Sequence, residues 1–340
     1  MGKINVIGID LAKEIFHLHA VDEKNQVVWR KKLRRKEMLE FFINLEPVLV
    51  VMEACGGSNY WAQKLIKQGH QVKLIAPSFV KPFVKSQKND RNDAEAIVEA
   101  SSRPSMRYVS PKEMWQQDIQ SVHRVRTRLV RSLVDLMNQA RGLLMEYGIT
   151  IPEGVAQFRK QIPLILEDAG NELSSQMRTL VRDFYEEYLE VLARKKKYDQ
   201  VLDDIAEQNE DCKRLLSVPG VGPLTSTMFV SAVGDANSFK NGRQVSAWLG
   251  LVPRQISTGG KTRLAGITKR GDTHLRSLLV HGARSEILAC HNRKIKSDHD
   301  TWVLDMVNKK GYNKTAVALA NRKSRQMWAM LKNKEEYQVA

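Results

Sequence analysis

Residues 88–97 read Lys-Asn-Asp-Arg-Asn-Asp-Ala-Glu-Ala-Ile, and they place Asp90 and Asp93 three residues apart where a helical pattern begins. Positions i and i+3 share one face of a helix. Two carboxylates side by side repel each other unless something cationic lies between them. The helix N-terminus supplies a little positive potential. Mg²⁺ supplies far more, and it prefers one or two carboxylates plus the oxygens of a phosphate. Taken alone, the stretch also reads as an Asp N-cap followed by a first-turn acid, which is common at helix starts. The case for a metal depends on acids elsewhere in the chain.

Those acids lie upstream. Residues 4–10 read as a buried strand ending in Asp10, and 15–21 and 26–33 as two more strands around the polar turn Asp22-Glu23-Lys24-Asn25. A helix over 36–45 follows, then the apolar run Val48-Leu49-Val50-Val51-Met52 closed by Glu53, a helix over 59–68 and a strand over 71–76. A strand meander followed by alternating helices and strands predicts an α/β domain, a mixed sheet with helices packed on it. Chemistry in such sheets gathers at the carboxyl ends of strands, where Asp10 and Glu53 both fall. Either acid alone reads as a turn or cap residue. Together with Asp90 and Asp93 they make a cluster suited to a metal.

Composition narrows the partners. The 340 residues carry 54 Lys+Arg against 38 Asp+Glu, a formal net charge of +16. That field favours a polyanion, either nucleic acid or an anionic membrane surface. No apolar run reaches the roughly eighteen residues of a spanning helix. The start of the chain lacks a secretory pattern and a myristoylation signal. Cys55, Cys212 and Cys290 are scattered, which suits a reducing cytosol and argues against a disulfide framework or structural zinc. His17 and His19 alternate on one strand and point the same way, weak evidence for zinc beside so many acids.

Downstream the chain becomes helical. Ile119, Val122, Leu129, Leu133, Leu136, Ala140 and Leu143 form a heptad-like stripe over 112–146 that Arg126 interrupts. Arg124, Arg126, Arg128 and Arg131 decorate it, either as a solvated face or as a phosphate-facing stripe. Residues 148–170, with Pro152 and Pro163, read as a linker or irregular excursion. A second stripe runs through Leu173, Met177, Leu180, Phe184, Tyr188, Val191, Tyr198, Leu202 and Ile205. Two such helices predict a helical hairpin or coiled coil, with self-association through the apolar stripes.

Leu216 to Pro223, Leu-Ser-Val-Pro-Gly-Val-Gly-Pro, has the form of a helix-hairpin-helix turn, whose backbone N–H groups at Gly220 and Gly222 can take a DNA phosphate; an ordinary tight turn is the alternative. Residues 240–296 hold twelve Lys/Arg and two Asp/Glu. Within them Arg254, Lys261, Arg263, Lys269 and Arg270 surround a Gly- and hydroxyl-rich loop in which backbone amides can approach phosphate. Gly259-Gly260-Lys261-Thr262 is not a P-loop, because Gln255 stands where its first Gly would be. Arg276 and Arg284, on the helix that starts at Thr273, fall on faces free to meet a nucleic-acid backbone. Ser257 can be read as a nucleophile, although Ser/Thr before Gly-Gly is usually a turn. Helices around 301–309 and 314–333 complete the chain, with Trp302 and Trp328 expected in the core.

Five motifs taken together carry a resemblance. They are Gly8-Ile9-Asp10; Met52-Glu53-Ala54-Cys55-Gly56-Gly57-Ser58; Lys88 to Ala94; Val218-Pro219-Gly220-Val221-Gly222; and Gly250-Leu251-Val252-Pro253-Arg254 through Lys269-Arg270-Gly271-Asp272. In this order they resemble the DEDD transposases of bacterial insertion sequences, family one-ten and its subgroup eleven-eleven, related to the Piv-type DNA invertases. The resemblance implies a RuvC- and RNase H-like catalytic domain over 1–110, in which Asp10, Glu53, Asp90 and Asp93 coordinate Mg²⁺. It implies a coiled-coil insertion over 111–210 and a C-terminal transposase domain over 211–340 with a catalytic serine. That serine would attack DNA phosphate and hold a covalent phosphoserine intermediate, while the metal site activates the hydroxyl. The implied partners are a structured guide (bridge) RNA encoded by the element, which pairs with donor and target DNA, and further copies of the chain in a dimer of dimers, with one protomer's acids facing another's serine. The implied setting is the bacterial cytoplasm and nucleoid. In the better-known branch the serine directly precedes a Gly, five residues after the Pro. Here Thr258 fills that slot and Ser257 stands one residue earlier, so Ser257 is the expected nucleophile. The competing expectations are a Mg²⁺-dependent nuclease using water, an actin-like ATPase suggested by Gly8-Ile9-Asp10 and Lys13, and a non-catalytic nucleic-acid-binding scaffold.

Overall fold

The computed structural model describes residues 3–84, 90–294 and 296–337. Lys88 and Asn89 of the opening stretch lie outside the described residues, as do the side chains of Asp90 and Arg91. The chain forms two compact units, Met1–Met114 and Trp115–Ala340.

The first unit is built on a six-stranded mixed sheet. Its strands are β1 (Val6–Leu11), β2 (Ile15–Val21), β3 (Val27–Arg34), β4 (Leu49–Glu53), β5 (Gln71–Ile75) and β6 (Tyr108–Val109), in the order β3-β2-β1-β4-β5-β6. β1, β2 and β3 form an antiparallel meander, β1, β4 and β5 run parallel, and β6 returns antiparallel to β5. This mixed α/β architecture is consistent with a RuvC-like DEDD domain. The helices are α1 (Met38–Ile43), α2 (Ser58–Lys67), α3 (Pro77–Val80) and α4 (Asp90–Ser101). The expected helix over 36–45 divides into a 3-10 turn at Arg35–Glu37 followed by α1.

Strand alternation assigns each residue to one face. Ile7, Ile9, Phe16, Leu18, Val50 and Met52 pack with Met38 and Phe42 of α1 and Trp61 and Leu65 of α2. Val6, Val51 and Ile75 pack on the other face with Ala96, Ile97, Val98 and Ala100 of α4. Each fully buried Ile or Phe here contributes about 1.5–3 kcal/mol of apolar burial.

The second unit is helical apart from one hairpin. It holds α5 (Met114–Met145), α6 (Val155–Glu167), α7 (Ser175–Gln208), α8 (Glu210–Leu216), α9 (Pro223–Val233) and α10 (Gly242–Trp248). The hairpin strands β7 (Pro253–Thr258) and β8 (Lys261–Ile267) come next, then α11 (Thr273–Asn292), α12 (Asp298–Lys310) and α13 (Tyr312–Asn333). Leu129, Leu133, Leu136 and Ala140 of α5 share a core with Met177, Val181, Tyr188 and Val191 of α7. Residues 148–170 are not simply a linker, because α6 lies within them and adds Phe158 and Ile162 to that core. Pro163 sits inside α6 and removes the N–H that would reach the Arg159 carbonyl. That carbonyl accepts from the Tyr185 hydroxyl at 3.4 Å instead. Leu180, expected in the stripe, is 43 % exposed, and Val181 takes the inward position. The inward positions step by four residues from Met177 to Val181, because a straight helix drifts away from a strict 3.5-residue repeat.

The remaining helices surround Leu215, Phe229, Val245, Leu275, Leu279, Leu319 and Met327. Trp328 packs against this core and donates its Nε1–H to the Ala236 carbonyl at 2.9 Å. Trp302 does not lie in the core: it is 39 % exposed, with the Arg322 guanidinium stacked 4.8 Å from its ring centre. Among the described residues no helix is long and apolar enough to cross a membrane.

Candidate active site

Asp10 and Glu53 stand each one residue past Ile9 and Met52, which are paired in register on neighbouring parallel strands. Their parity puts both carboxylates on the α4 face of the sheet. Gly8 lies two residues before Asp10 on that face, and α4 crosses directly over it. A Cβ at Gly8 would stand 2.5 Å from Val98 Cγ2 and 2.6 Å from the Ala94 carbonyl oxygen. The missing side chain therefore lets the first turns of α4 settle onto β1, which carries Asp93 to the end of the sheet where Asp10 and Glu53 emerge. Asp10, Glu53 and Asp93 are all half-buried.

Electrostatics records this convergence. Burial, and after it the Asp93 charge, push the Glu53 carboxyl above its ordinary value of 4.5. Burial followed by the Glu53 and Asp10 charges pushes the Cys55 thiol up as well. A half-buried carboxylate whose proton affinity is raised by a neighbouring acid is a position where a cation is favourable. Hard carboxylate oxygens on a half-open face suit a divalent metal that keeps water and substrate phosphate among its ligands. Among the described residues no group of three His, Cys, Asp or Glu side chains is by itself arranged to hold an ion, and the Asp90 side chain lies outside them. Carboxylate oxygens are the right chemistry for a divalent metal, which would take its remaining ligands from substrate and solvent.

Ser257 does not lie in a loop. The Gly- and hydroxyl-rich stretch expected to be one forms the antiparallel hairpin β7–β8, turned at Gly259-Gly260. Both glycines have positive φ, +54° and +76°, the conformation a two-residue hairpin turn requires. Every residue of β7 is exposed. Ser257 pairs across the ribbon with Thr262, whose Oγ1 lies 3.4 Å from Ser257 Oγ, and Ser257 Oγ accepts from Gln255 Nε2 at 2.9 Å. Thr258 points to the opposite face by alternation.

The nominated basic residues divide into exposed and engaged groups. Arg124, Arg128 and Arg131 are exposed on α5, and Arg254, Lys261 and Arg263 are exposed on the ribbon. Lys269 and Arg270 are exposed just beyond it. Arg126 instead joins α5 to α7, its Nε 2.6 Å from Asp199 Oδ1, with Lys195 on the other oxygen. Arg276 does not face outward either: it is 8 % exposed and donates to the Leu249 and Arg270 carbonyls at 3.0 and 2.9 Å, tying the root of the hairpin to α11. Arg284 donates to Asn313 Oδ1 at 3.1 Å. Gly220 packs against α11, since a Cβ there would stand 2.2 Å from the Gly282 carbonyl oxygen, whereas Gly222 has open space around it. Gly8, quoted in the sequence only as part of the motif Gly8-Ile9-Asp10, takes on a structural role of its own: a glycine two positions before an acid, on the same strand face, lets α4 seat.

A mixed sheet that brings acids to its carboxyl edge beneath a helix, in a strongly basic chain, has the form of an enzyme acting on nucleic acid. Comparison with known proteins makes this specific. A family model named for the DEDD transposases of IS110 elements and described as "Transposase" matches residues 7–149. A second, described as "Transposase IS116/IS110/IS902 family", matches residues 212–300. The chain is 45 % identical to a "Probable family 20 transposase" of Pseudomonas aeruginosa over 97 % of its own length and 98 % of that protein's. It is 42 % identical to the "Transposase for insertion sequence element IS1111A" of Coxiella burnetii, covering 99 % and 92 % of the two chains. More distantly, it is 20 % identical to the "Pilin gene-inverting protein" of Moraxella bovis over 80 % of each. The chain belongs to the IS110 family of DEDD transposases, enzymes of insertion sequences that cleave and rejoin DNA.

Proposed function

We propose that this transposase is an RNA-guided DNA recombinase in which Asp10, Glu53, Asp90 and Asp93 hold Mg²⁺ and Ser257 is the nucleophile. The observation that carries the reading is the gathering of Asp10, Glu53 and Asp93 on the α4 face of the sheet, with Glu53 held above its ordinary pKa. The bound ion would supply charge neutralisation at the phosphate and a lowered pKa for a coordinated hydroxyl. In the covalent step the Ser257 Oγ–P bond forms as one P–O bond of the DNA breaks. The serine proton passes to solvent or a base, and the released DNA oxygen takes one up. Strand exchange reverses these bonds on a different strand. Thr262 and Gln255 orient the hydroxyl, and neither is a base, so deprotonation has to be completed by groups brought in on assembly.

The reading extends to a RuvC-like catalytic domain over 1–110, a coiled-coil hairpin over 111–210 and a serine-bearing transposase domain over 211–340. The helix-hairpin-helix-like turn between α8 and α9 would meet DNA phosphate at Gly222. Arg124, Arg128, Arg254, Lys261, Arg263, Lys269 and Arg270 would contact nucleic acid, and the chain would act as a dimer of dimers with an element-encoded RNA supplying base pairing. The test is the full chain with its flanking non-coding RNA, a donor and a target DNA. Exchange that needs RNA and Mg²⁺, with a covalent protein–DNA adduct lost in Ser257→Ala, supports the reading. Cleavage by Ser257→Ala at the wild-type rate would assign water as the nucleophile.

A further inference from the structure

The acids do not exhaust the α4 face of the sheet. Beyond Asp10 that face continues onto β2 and β3. Asp10 pairs with His17 across β1–β2, and His17 and His19 pair with Lys32 and Arg30 across β2–β3. Arg34 stands opposite Ile15 at the end of the same ladder. By strand parity Arg30, Lys32 and Arg34 share one face, with successive members about 6.7 Å apart. That step is comparable to the separation of successive phosphates along an extended strand. Residues of opposite parity face the other side: Lys31 has its Nζ 5.4 Å from the Trp29 ring centre and 4.7 Å from that of Phe41, against the α1–α2 core.

A cavity of about 390 Å³ opens on the basic side, lined by His17, Leu18, His19, Arg30, Lys31, Lys32 and Ala94; Lys31 contributes to the lining, but its ammonium lies against Trp29 and Phe41 on the other face. Its two walls run straight into the acids, since His17 is the cross-strand neighbour of Asp10 and Ala94 follows Asp93 in α4. The far wall is fixed by Arg30, whose Nη2 lies 2.8 Å from Glu95 of α4 and whose Nε donates to His19 Nδ1 at 3.1 Å. Lys32 and Arg34 are exposed along the rim.

We infer that this groove is a phosphate track that leads the DNA strand to be cleaved into the acid site, with Lys32 and Arg34 on its backbone and His17 beside the phosphate that reaches Asp10. The inference rests on the acids being the catalytic site. Its chemistry is that of a phosphodiester backbone, so it carries no base reading and adds to affinity through counterion release. The competing account is that β3, as an edge strand, carries Lys and Arg only to prevent pairing with another sheet edge. That account needs charge on β3 but is indifferent to its face. The track needs charge on one face only.

The two accounts separate on three single neutralisations in the full-length protein: Lys32→Gln, Arg34→Gln and, as the matched change on the other face, Lys31→Gln. The probes are a single-stranded DNA 20-mer and an RNA of the same sequence, with Kd measured from 50 to 200 mM salt. The track predicts that Lys32→Gln and Arg34→Gln each lower the slope of log K against log salt on DNA by about 0.7, and that the pair lowers it by about 1.4. Lys31→Gln keeps the wild-type slope. In cleavage assays the double variant should need several-fold more DNA for half-maximal rate and reach the wild-type maximum. Equal slopes for all variants and the wild type, or equal losses at Lys31 and Lys32, overturn the track. A loss seen on RNA alone overturns its assignment to the DNA strand. Asp10→Asn serves as the separate arm: if it cleaves normally the acid-site reading falls, while a slope change at Lys32 and Arg34 still reports a phosphate contact.

Discussion

Asp10 and Glu53 end strands that are packed on both faces, whereas Ser257 lies on a ribbon whose β7 residues all meet solvent. The acids are held by a sheet, a buried core and a helix seated on a glycine. The serine is held by cross-strand pairing, with its hairpin rooted by Arg276 on two carbonyls. A metal site needs its ligands fixed before the substrate arrives, because small displacements of charge cost affinity steeply. A nucleophile that must leave one DNA strand and meet another gains from a mount that can adapt. On the proposed mechanism the two halves of the chemistry therefore tolerate change differently, and this can be tested at each.

The largest effects should come from the functional groups. Asp10→Asn and Glu53→Gln should abolish strand cleavage, and Ser257→Ala should abolish the covalent adduct while leaving metal-dependent DNA binding at the wild-type level. Glu53→Gln carries a further signature. Because the folded-state pKa of Glu53 is raised, folding favours its protonated form, and the stability this confers below about pH 4.5 is lost as pH rises through the folded pKa. At neutral pH the metal-free Glu53→Gln protein should therefore melt higher than wild type although it is inactive. A lower Tm would show that the raised Glu53 carboxyl is not a cost of holding the acids together.

Next in size is Gly8→Ala. Its Cβ would overlap Val98 and the Ala94 carbonyl, so overpacking should cost about 1–3 kcal/mol and displace Asp93 from the acids. Denaturant titration together with the cleavage rate checks both effects. The second unit should respond instead to acid. Burial, followed by the His274 and Arg126 charges, holds His123 down to about 3. Its neutral ring therefore contributes stability that is full above 6.5 and lost as pH falls toward the folded value. Unfolding followed through this unit should weaken from about pH 6.5 downward, and His123→Gln should flatten that dependence. The smallest effect belongs to Gly259→Ala, where nothing lies within 4 Å and only the positive φ is strained, at about 1–2 kcal/mol confined to the ribbon. Global stability should then change far less than adduct formation.

Much of the sheet was legible. β2 runs over Ile15–Val21 as its alternation indicates, and the apolar runs closed by Asp10 and Glu53 are adjacent parallel strands. The convergence of Asp93 on them was not readable from spacing within 88–97, because it depends on Gly8 accepting α4. The misses share a cause: tertiary partners overrode local signals. Pro163 marked a break, but Tyr185 takes up the carbonyl it frees and α6 persists. Arg126 and Arg276 looked like surface cations, but one meets Asp199 and the other two backbone carbonyls. Ser257-Thr258-Gly259-Gly260 looked like a loop because exposed strands lack the apolar alternation that marks a half-buried one.

The central claim is that the acids of β1, β4 and α4 serve one cation. Loading the full chain with Fe²⁺ in place of Mg²⁺ and adding ascorbate and peroxide cuts the backbone beside the bound ion. Cuts near residues 10, 53 and 93 together, all suppressed by excess Mg²⁺ and by Asp10→Asn, are the predicted result. Cuts at only one of the three segments, or a pattern indifferent to Asp10→Asn, would contradict it.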